Sequence, residues 1–323
     1  VGAGDVVQEH AARVLELFER HHCFTNSADG AYKRYIQAIR QFGGRVPKAA
    51  FVIGNSSKSI IDGSAGSNEE EADMLRTIFG KYPAKGAVPK YIEHHMAGIF
   101  RPGVDIASCM FALHYFFENK EMLDGFIKNL SDTVKVGGFF IGCCFDGNRV
   151  FNLLRAIQMG HSRTGMDGDV PIWTIKKDYD QEELTDDESS LGLGIDVEFI
   201  SIGSAHKEYI VSFDYFKSRM AEIGFRLLNA AEQQEMGLQS SSSTFDTTYA
   251  SVEASQQGDS AKKKYQMSDA VKQFSFLNRW FIFKRGQEVI PTSKQEAAVP
   301  QAVMDEDEIP AIELDEEHDP AFE

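Results

Sequence analysis

Apolar positions along this chain alternate between the two periods that mark strands and helices. From Val104 to Cys109 they run almost unbroken and are small or β-branched, which predicts a short buried strand. Asn119 then stands where a helix N-cap belongs, and Met122, Leu123, Phe126, Ile127 and Leu130 follow at helical spacing. The same pairing recurs. Residues 50–53 read as a buried strand with 54–57 as the turn at its carboxyl end. Residues 134–138 (VKVGG) read as a helix stop and turn before a strand over 139–145, and Asp146 opens a helix that runs through Leu154 and Ile157. Strands are predicted over 172–177, 194–200 and 208–211, the last leading into a helix over 213–223. A helix over 267–276 and a strand over 280–283 close the periodic part of the chain.

Other stretches are less regular. Residues 29–40 begin an amphipathic helix with Tyr32, Tyr35, Ile36 and Ile39 on one face. Residues 6–18 admit two registers: a helix with Val7, Ala11, Val14, Leu15 and Phe18 toward the core, or a strand over 14–19 that ends in Glu19. Residues 62–101 are long and irregular, with a helix at about 68–79 and a remainder rich in Pro, Gly and Lys that reads as a surface insertion. Residues 180–190 form an acidic, solvated loop, residues 237–262 are Ser-, Gln-, Thr- and Asp-rich and read as a mobile loop, and residues 286–323 read as an acidic disordered tail.

Composition narrows the class. With 323 residues, 42% hydrophobic and 25% charged, the chain has the makeup of a globular protein with one large catalytic domain. No apolar run approaches the roughly 20 residues that cross a bilayer, and no basic and apolar targeting pattern opens the sequence. Cys23, Cys109, Cys143 and Cys144 show no metal-ligand spacing; three of them fall in predicted buried strands, which fits a reducing compartment with neither zinc nor disulfides. The formal net charge of -16 would disfavour nucleic acid, but the last stretch, 286–323, holds twelve acids and one lysine. The body is therefore only mildly acidic, and an extended RNA track is not expected.

In an open α/β sheet a ligand lies beyond the carboxyl ends of the strands, which directs attention to Ser108 through Tyr115. The run SCMFALHYFFEN at 108–119 resembles the signature of the mRNA cap guanine-N7 methyltransferases, especially those of large DNA viruses. Further blocks look like that family's, in its order: DGAYKRY at 29–35, FVIGNSSK at 51–58, GGFFIG at 137–142, EYIVSF at 208–213 and SFLNRWFIFK at 275–284. The resemblance covers about residues 26–285.

What the resemblance implies is specific. The fold would be an α/β, Rossmann-like class I methyltransferase: a seven-stranded, mostly parallel sheet with an antiparallel edge hairpin, over residues 1–285, with insertions at about 62–101 and 237–262. Its first strand would be truncated, because the chain opens on Val1 and only Gly2, Gly4 and Asp5 could be the tail of a glycine-rich cofactor turn. The cofactor would be S-adenosyl-L-methionine. Glu19 would accept from the ribose, Asn55 (where the family usually has Asp) and Ser56 would face the adenine, and Ser108 and Met110 would line the site. Tyr115 would lie between methyl donor and base, His114 and Glu208 would contact the cap guanine, and Asn278 and Trp280 stand near the family's aromatic cap contact.

The chemistry agrees with this set. Guanine N7 presents a lone pair with no proton to remove, so methyl transfer needs alignment and a fitting electrostatic field, with no acid or base and no metal. Guanine's distinguishing edge carries two donors, N1–H and an amino group, that one carboxylate can accept side by side, and Glu208 suits that task. The implied partner is the capped 5′ end of mRNA, with triphosphatase and guanylyltransferase domains in the same chain or complex left open. The implied location is the host cytoplasm or a viral factory for a viral enzyme and the nucleus for a cellular one. Two alternatives stand beside this reading: another RNA or small-molecule methyltransferase on the same fold, and a non-catalytic scaffold subunit of a capping complex.

Overall fold

The protein is described by a computed structural model over residues 13–18, 31–201, 203–255 and 267–286. Its strands form three sheets. β1 (Arg13–Phe18) and β2 (Lys48–Ile53) pair in parallel, from Arg13 opposite Lys48 to Phe18 opposite Ile53. β3 (Val104–Met110) runs parallel to β4 (Val134–Phe145), and β4 pairs antiparallel with β11 (Asn278–Arg285). β11 in turn carries β9 (Phe225–Leu227) and β10 (Ser242–Thr244) as an antiparallel edge. A separate antiparallel sheet follows chain order: β5 (Ser162–Asp167), β6 (Val170–Asp178), β7 (Gly194–Phe199) and β8 (His206–Tyr209).

The α/β character and the parallel pairs are those expected. The count is not a single sheet of seven, since eleven described strands lie in sheets of two, five and four.

Helices cover one face of the five-stranded sheet. α4 (Lys120–Thr133) is capped by Asn119, whose side chain accepts from Met122 N at 3.0 Å, and it buries Leu123, Phe126, Ile127 and Leu130. These meet Phe140 of β4, Phe281 and Phe283 of β11, and Phe213, Phe216 and Met220 of α6 (Phe213–Glu222) in one continuous core. Because side chains alternate along a strand, Ala107 and Cys109 of β3 point into this core while Ile106 and Met110 face the other way and are more than half exposed. Cys109, Cys143 and Cys144 are buried in β3 and β4, as the pattern predicts. A second core sets α5 (Gly147–Leu154) against Trp173, Ile175, Ile195 and Val197 of the four-stranded sheet.

Of the two registers open for residues 13–18 the strand is the one adopted, because pairing with β2 satisfies their backbone along a whole ladder. Three expectations change. Residues 62–101 are no mere surface insertion: α2 (Glu69–Phe79) and α3 (Lys90–His95) bury Leu75, Ile78, Phe79 and Ile92 with Met96 and Phe100 against Ala50 and Val52 of β2. Residues 134–138 belong to β4, where Gly137 takes φ +82° beside the register shift between Val104 and Ile106. Within 237–262, β10 is followed by a helix, α8 (Phe245–Ser255); residues 256–266 lie outside the described set. Too few apolar residues mark α8 for periodicity to reveal it. It is held by tertiary contacts: Trp280 Nε1 donates to Thr248 Oγ1 at 2.8 Å, and Asp246 pairs with Arg149 at 2.9 Å.

Candidate active site

β3 delivers the chain to the site through an unusual residue. Phe111 has φ 55°, the only positive φ among the described non-glycine residues, and its N–H donates to Cys143 O at 2.9 Å. The chain then folds into a short 3-10 turn, Leu113–Phe117, whose Leu113, Phe116 and Phe117 anchor in the core. That anchoring fixes His114 and Tyr115 between them. Their rings lie 4.1 Å apart at 62°.

Glu208 reaches the same place from the other sheet. β8 sets it opposite Ile195 of β7, on the inner face, and its Oε2 lies 3.4 Å from His114 Nδ1. Both side chains are deeply buried, and burial moves both toward their neutral forms: His114 is pushed down to about 3 and Glu208 up to about 7. Near neutrality the imidazole is uncharged, so the two do not form an ion pair. His114 Nε2 is buried with no hydrogen-bond partner among the described residues. An orphaned buried nitrogen costs about 1–3 kcal/mol, which a structure retains where a ligand can satisfy it.

A second group gathers beyond β2. Asn55 Oδ1 accepts from Ser57 N at 2.8 Å and Ser57 Oγ at 2.6 Å, so its oxygen shapes its own turn and its amide N–H groups are what it offers outward. The turn is fastened to α4 by Asn129, whose Nδ2 donates to Ser56 O and Lys58 O at 2.7 Å each and whose Oδ1 accepts from Ile60 N at 3.0 Å. Periodicity gave no sign of Asn129, which the helical pattern passes over as one more polar residue.

The remaining candidates divide. Met110 and Trp280 lie on adjacent sides of Cys143, one strand to either side, and line a cavity of about 570 Å³ with Phe245, Tyr249 and Phe276. Ser108 is exposed on the same strand face as Met110. Asn278 is buried, and its Nδ2 donates to Phe274 O and Ser275 O, the end of α9 (Asp269–Ser275), so its amide is engaged by that helix. Gly2, Gly4, Asp5 and Glu19 lie outside the described residues. Phe111 is a second residue, after Asn129, that sequence reasoning missed. It is 55% exposed between Met110 and His114, and only its backbone conformation singles it out.

Residues 25–285 match the family described as the mRNA (guanine-N(7))-methyltransferase domain. The chain belongs to that family. Among its relatives, a probable mRNA-capping enzyme of Acanthamoeba polyphaga mimivirus is 24% identical over 124 residues, which is 36% of this chain and 10% of that protein. The mRNA cap guanine-N(7) methyltransferase of Drosophila melanogaster is 32% identical over 81 residues, covering 25% of this chain and 18% of the relative. An Arabidopsis thaliana mRNA cap guanine-N(7) methyltransferase is 28% identical over 137 residues, covering 41% and 34%. The matched part thus spans between a tenth and a third of these relatives' lengths. No helix among the described residues is long and apolar enough to cross a membrane.

Proposed function

We propose that this methyltransferase domain transfers a methyl group from S-adenosyl-L-methionine to N7 of the guanine cap at the 5′ end of mRNA. The observation that carries the reading is the meeting of His114, Tyr115 and Glu208, delivered by separate sheets to one buried place at the carboxyl end of β3. A flat base with two donors on one edge fits a carboxylate that accepts both. The orphaned His114 Nε2 offers a further polar atom beside that carboxylate.

The residues present also fit the cofactor. The outward amide of Asn55 and the exposed Met110 and Phe111 give a polar group and an apolar surface at the carboxyl ends of β2 and β3. When bound, S-adenosyl-L-methionine supplies an electrophilic methyl on a sulfonium. Tyr115 beside His114 shields the space between the two ligands from water, and Glu208 fixes the guanine so that N7 is presented without rotation. No side chain has to move a proton.

The test is methyl transfer to GpppG and to uncapped RNA, with cofactor affinity followed by calorimetry. Glu208→Ala and His114→Ala are expected to abolish transfer to GpppG while leaving cofactor binding largely intact. Retained activity in both variants would sink the guanine-pocket assignment. Transfer to uncapped RNA alone would point to a different substrate on the same fold.

A further inference from the structure

The charge of this acidic chain reverses locally in two stretches, residues 31–61 and 260–287, and only the first is free of acids. From Ala31 to Ile61 it carries Lys33, Arg34, Arg40, Arg45, Lys48 and Lys58 and no acidic residue at all. The structure concentrates much of this excess on one surface. α1 (Ala31–Phe42) lies on β2: Tyr35 OH donates to Pro47 O at 2.8 Å and accepts from Ala49 N at 3.1 Å, and the Tyr32 and Tyr35 rings pack on Phe51. α3 closes against the same place, where the Tyr91 ring packs on His95 and His95 Nδ1 lies 3.3 Å from Lys48 Nζ.

Arg40, Arg45, Lys48 and Lys90 are all exposed on this surface, and among the described residues none forms an ion pair. Glu93 is the one acid on either helix. Among the other described residues most basic side chains are paired, as with Lys207 and Asp178 or Arg226 and Glu232. Between the unpaired cations stand exposed aromatic rings, Tyr32, Phe42 and Tyr91, each more than 40% exposed. Cations alone would suit any polyanion. Cations interleaved with exposed rings suit one whose bases can stack, which is single-stranded nucleic acid.

We propose that the α1–α3 surface binds the single-stranded RNA body that follows the cap. Position supports a site separate from the catalytic residues: the cations sit toward the amino end of β2, about 20 Å along the chain from the turn at 54–57. RNA held there is downstream of the reacting guanine. The surface is short, so it adds affinity for longer transcripts without forming an extended track. The proposal rests on the reading that capped RNA is the substrate, and its test is arranged so that each can fail alone.

The full chain is compared with the quadruple variant Arg40→Gln, Arg45→Gln, Lys48→Gln, Lys90→Gln, with unchanged cofactor affinity as the check on folding. Binding of an uncapped single-stranded RNA of about 20 nucleotides is expected to weaken at least about tenfold at about 0.1 M salt, and the log–log salt slope to become shallower by about 3. Phe42→Ala is expected to weaken binding about fivefold with the slope unchanged, because stacking is lost and no charge is removed. With GpppG both variants should match the parent, whereas KM for a capped RNA of similar length should rise with kcat unaltered. Unchanged RNA binding in the quadruple variant overturns the proposal, and so does polyglutamate binding as tightly as RNA, which would assign the surface to an acidic polypeptide. A parent chain that binds RNA in this way yet never methylates GpppG defeats the cap-methylation reading and leaves the RNA surface standing.

Discussion

A carbon added to Gly125 would lie 1.8 Å from the carbonyl oxygen of Ser57. Helix α4 therefore touches the turn beyond β2 through a position that tolerates no side chain. Gly125→Ala is expected to force the turn outward at about 1–3 kcal/mol, typical of overpacking. The melting temperature should fall, and affinity for S-adenosyl-L-methionine should drop about tenfold, since the displaced backbone carries Asn55 and Ser56. An unchanged affinity would separate this turn from the cofactor.

Asn129 fastens the same turn with three hydrogen bonds and is 3% exposed. Asn129→Ala strands two carbonyls and one N–H, and a loss of about 2–3 kcal/mol is expected in urea denaturation. Asn129→Asp keeps the shape but sets a carboxylate against two carbonyl oxygens. It should be at least as harmful as alanine, and a milder effect would show that shape alone holds the turn.

Phe111 holds a left-handed backbone at φ 55°, a conformation that costs an L-residue about 1–2 kcal/mol. Phe111→Gly removes that cost. The thermal midpoint should therefore hold or rise, while methyl transfer to GpppG falls about tenfold or more because the exposed ring beside the reacting groups is gone. Full activity in the glycine variant would leave the strained residue without a role in the site.

Trp280 tests a choice between two roles. Its indole N–H is engaged by Thr248, which argues that it secures α8 and not the guanine. Trp280→Phe should cost about 1 kcal/mol for the lost hydrogen bond and leave KM for GpppG unchanged. A raised KM would return Trp280 to the cap pocket.

Glu208 sets the pH response. Burial raises its carboxyl to about 7, and only the ionised form accepts both guanine donors. The value of kcat/KM for GpppG is expected to climb as pH rises through about 7, and Glu208→Gln should be both weak and flat across that range. Stability runs the other way. A carboxyl raised in the folded state contributes stability that is full below about 4.5 and is lost as pH rises through about 7. His114, lowered to about 3, has the opposite sign: its contribution is present above about 6.5 and is lost as pH falls through about 3. Urea denaturation of Glu208→Gln should lack the decline toward pH 7, and a decline equal to the parent's would place the titrating group elsewhere.

Much of the architecture was legible from local pattern. Asn119 and Asp146 cap the helices predicted from them, and β3 and β7 lie where alternation or apolar runs place them, whereas β8 sits two residues earlier than the 208–211 expected. Where the local pattern left the answer open or missed it, a tertiary partner decided. Residues 13–18 carry Val14, Leu15 and Phe18 at spacings that suit either period, and only the partner strand β2 decides between them. Residues 245–255 have little amphipathic signal and are helical because Arg149 and Trp280 hold them.

The sequence by itself determined much of the order of elements and the family, and it proposed His114, Tyr115 and Glu208 as a group, because periodicity, caps and motif words depend on near neighbours along the chain. Only the tertiary structure decided that an imidazole and a carboxyl would stand 3.4 Å apart and both be driven toward neutrality, that Asn129 would clasp a distant turn, and that cations without ion pairs and half-exposed rings would share a surface. Those outcomes depend on how separate sheets and helices stack, and burial, which shifts charge and leaves a nitrogen without a partner, arises only from that stacking.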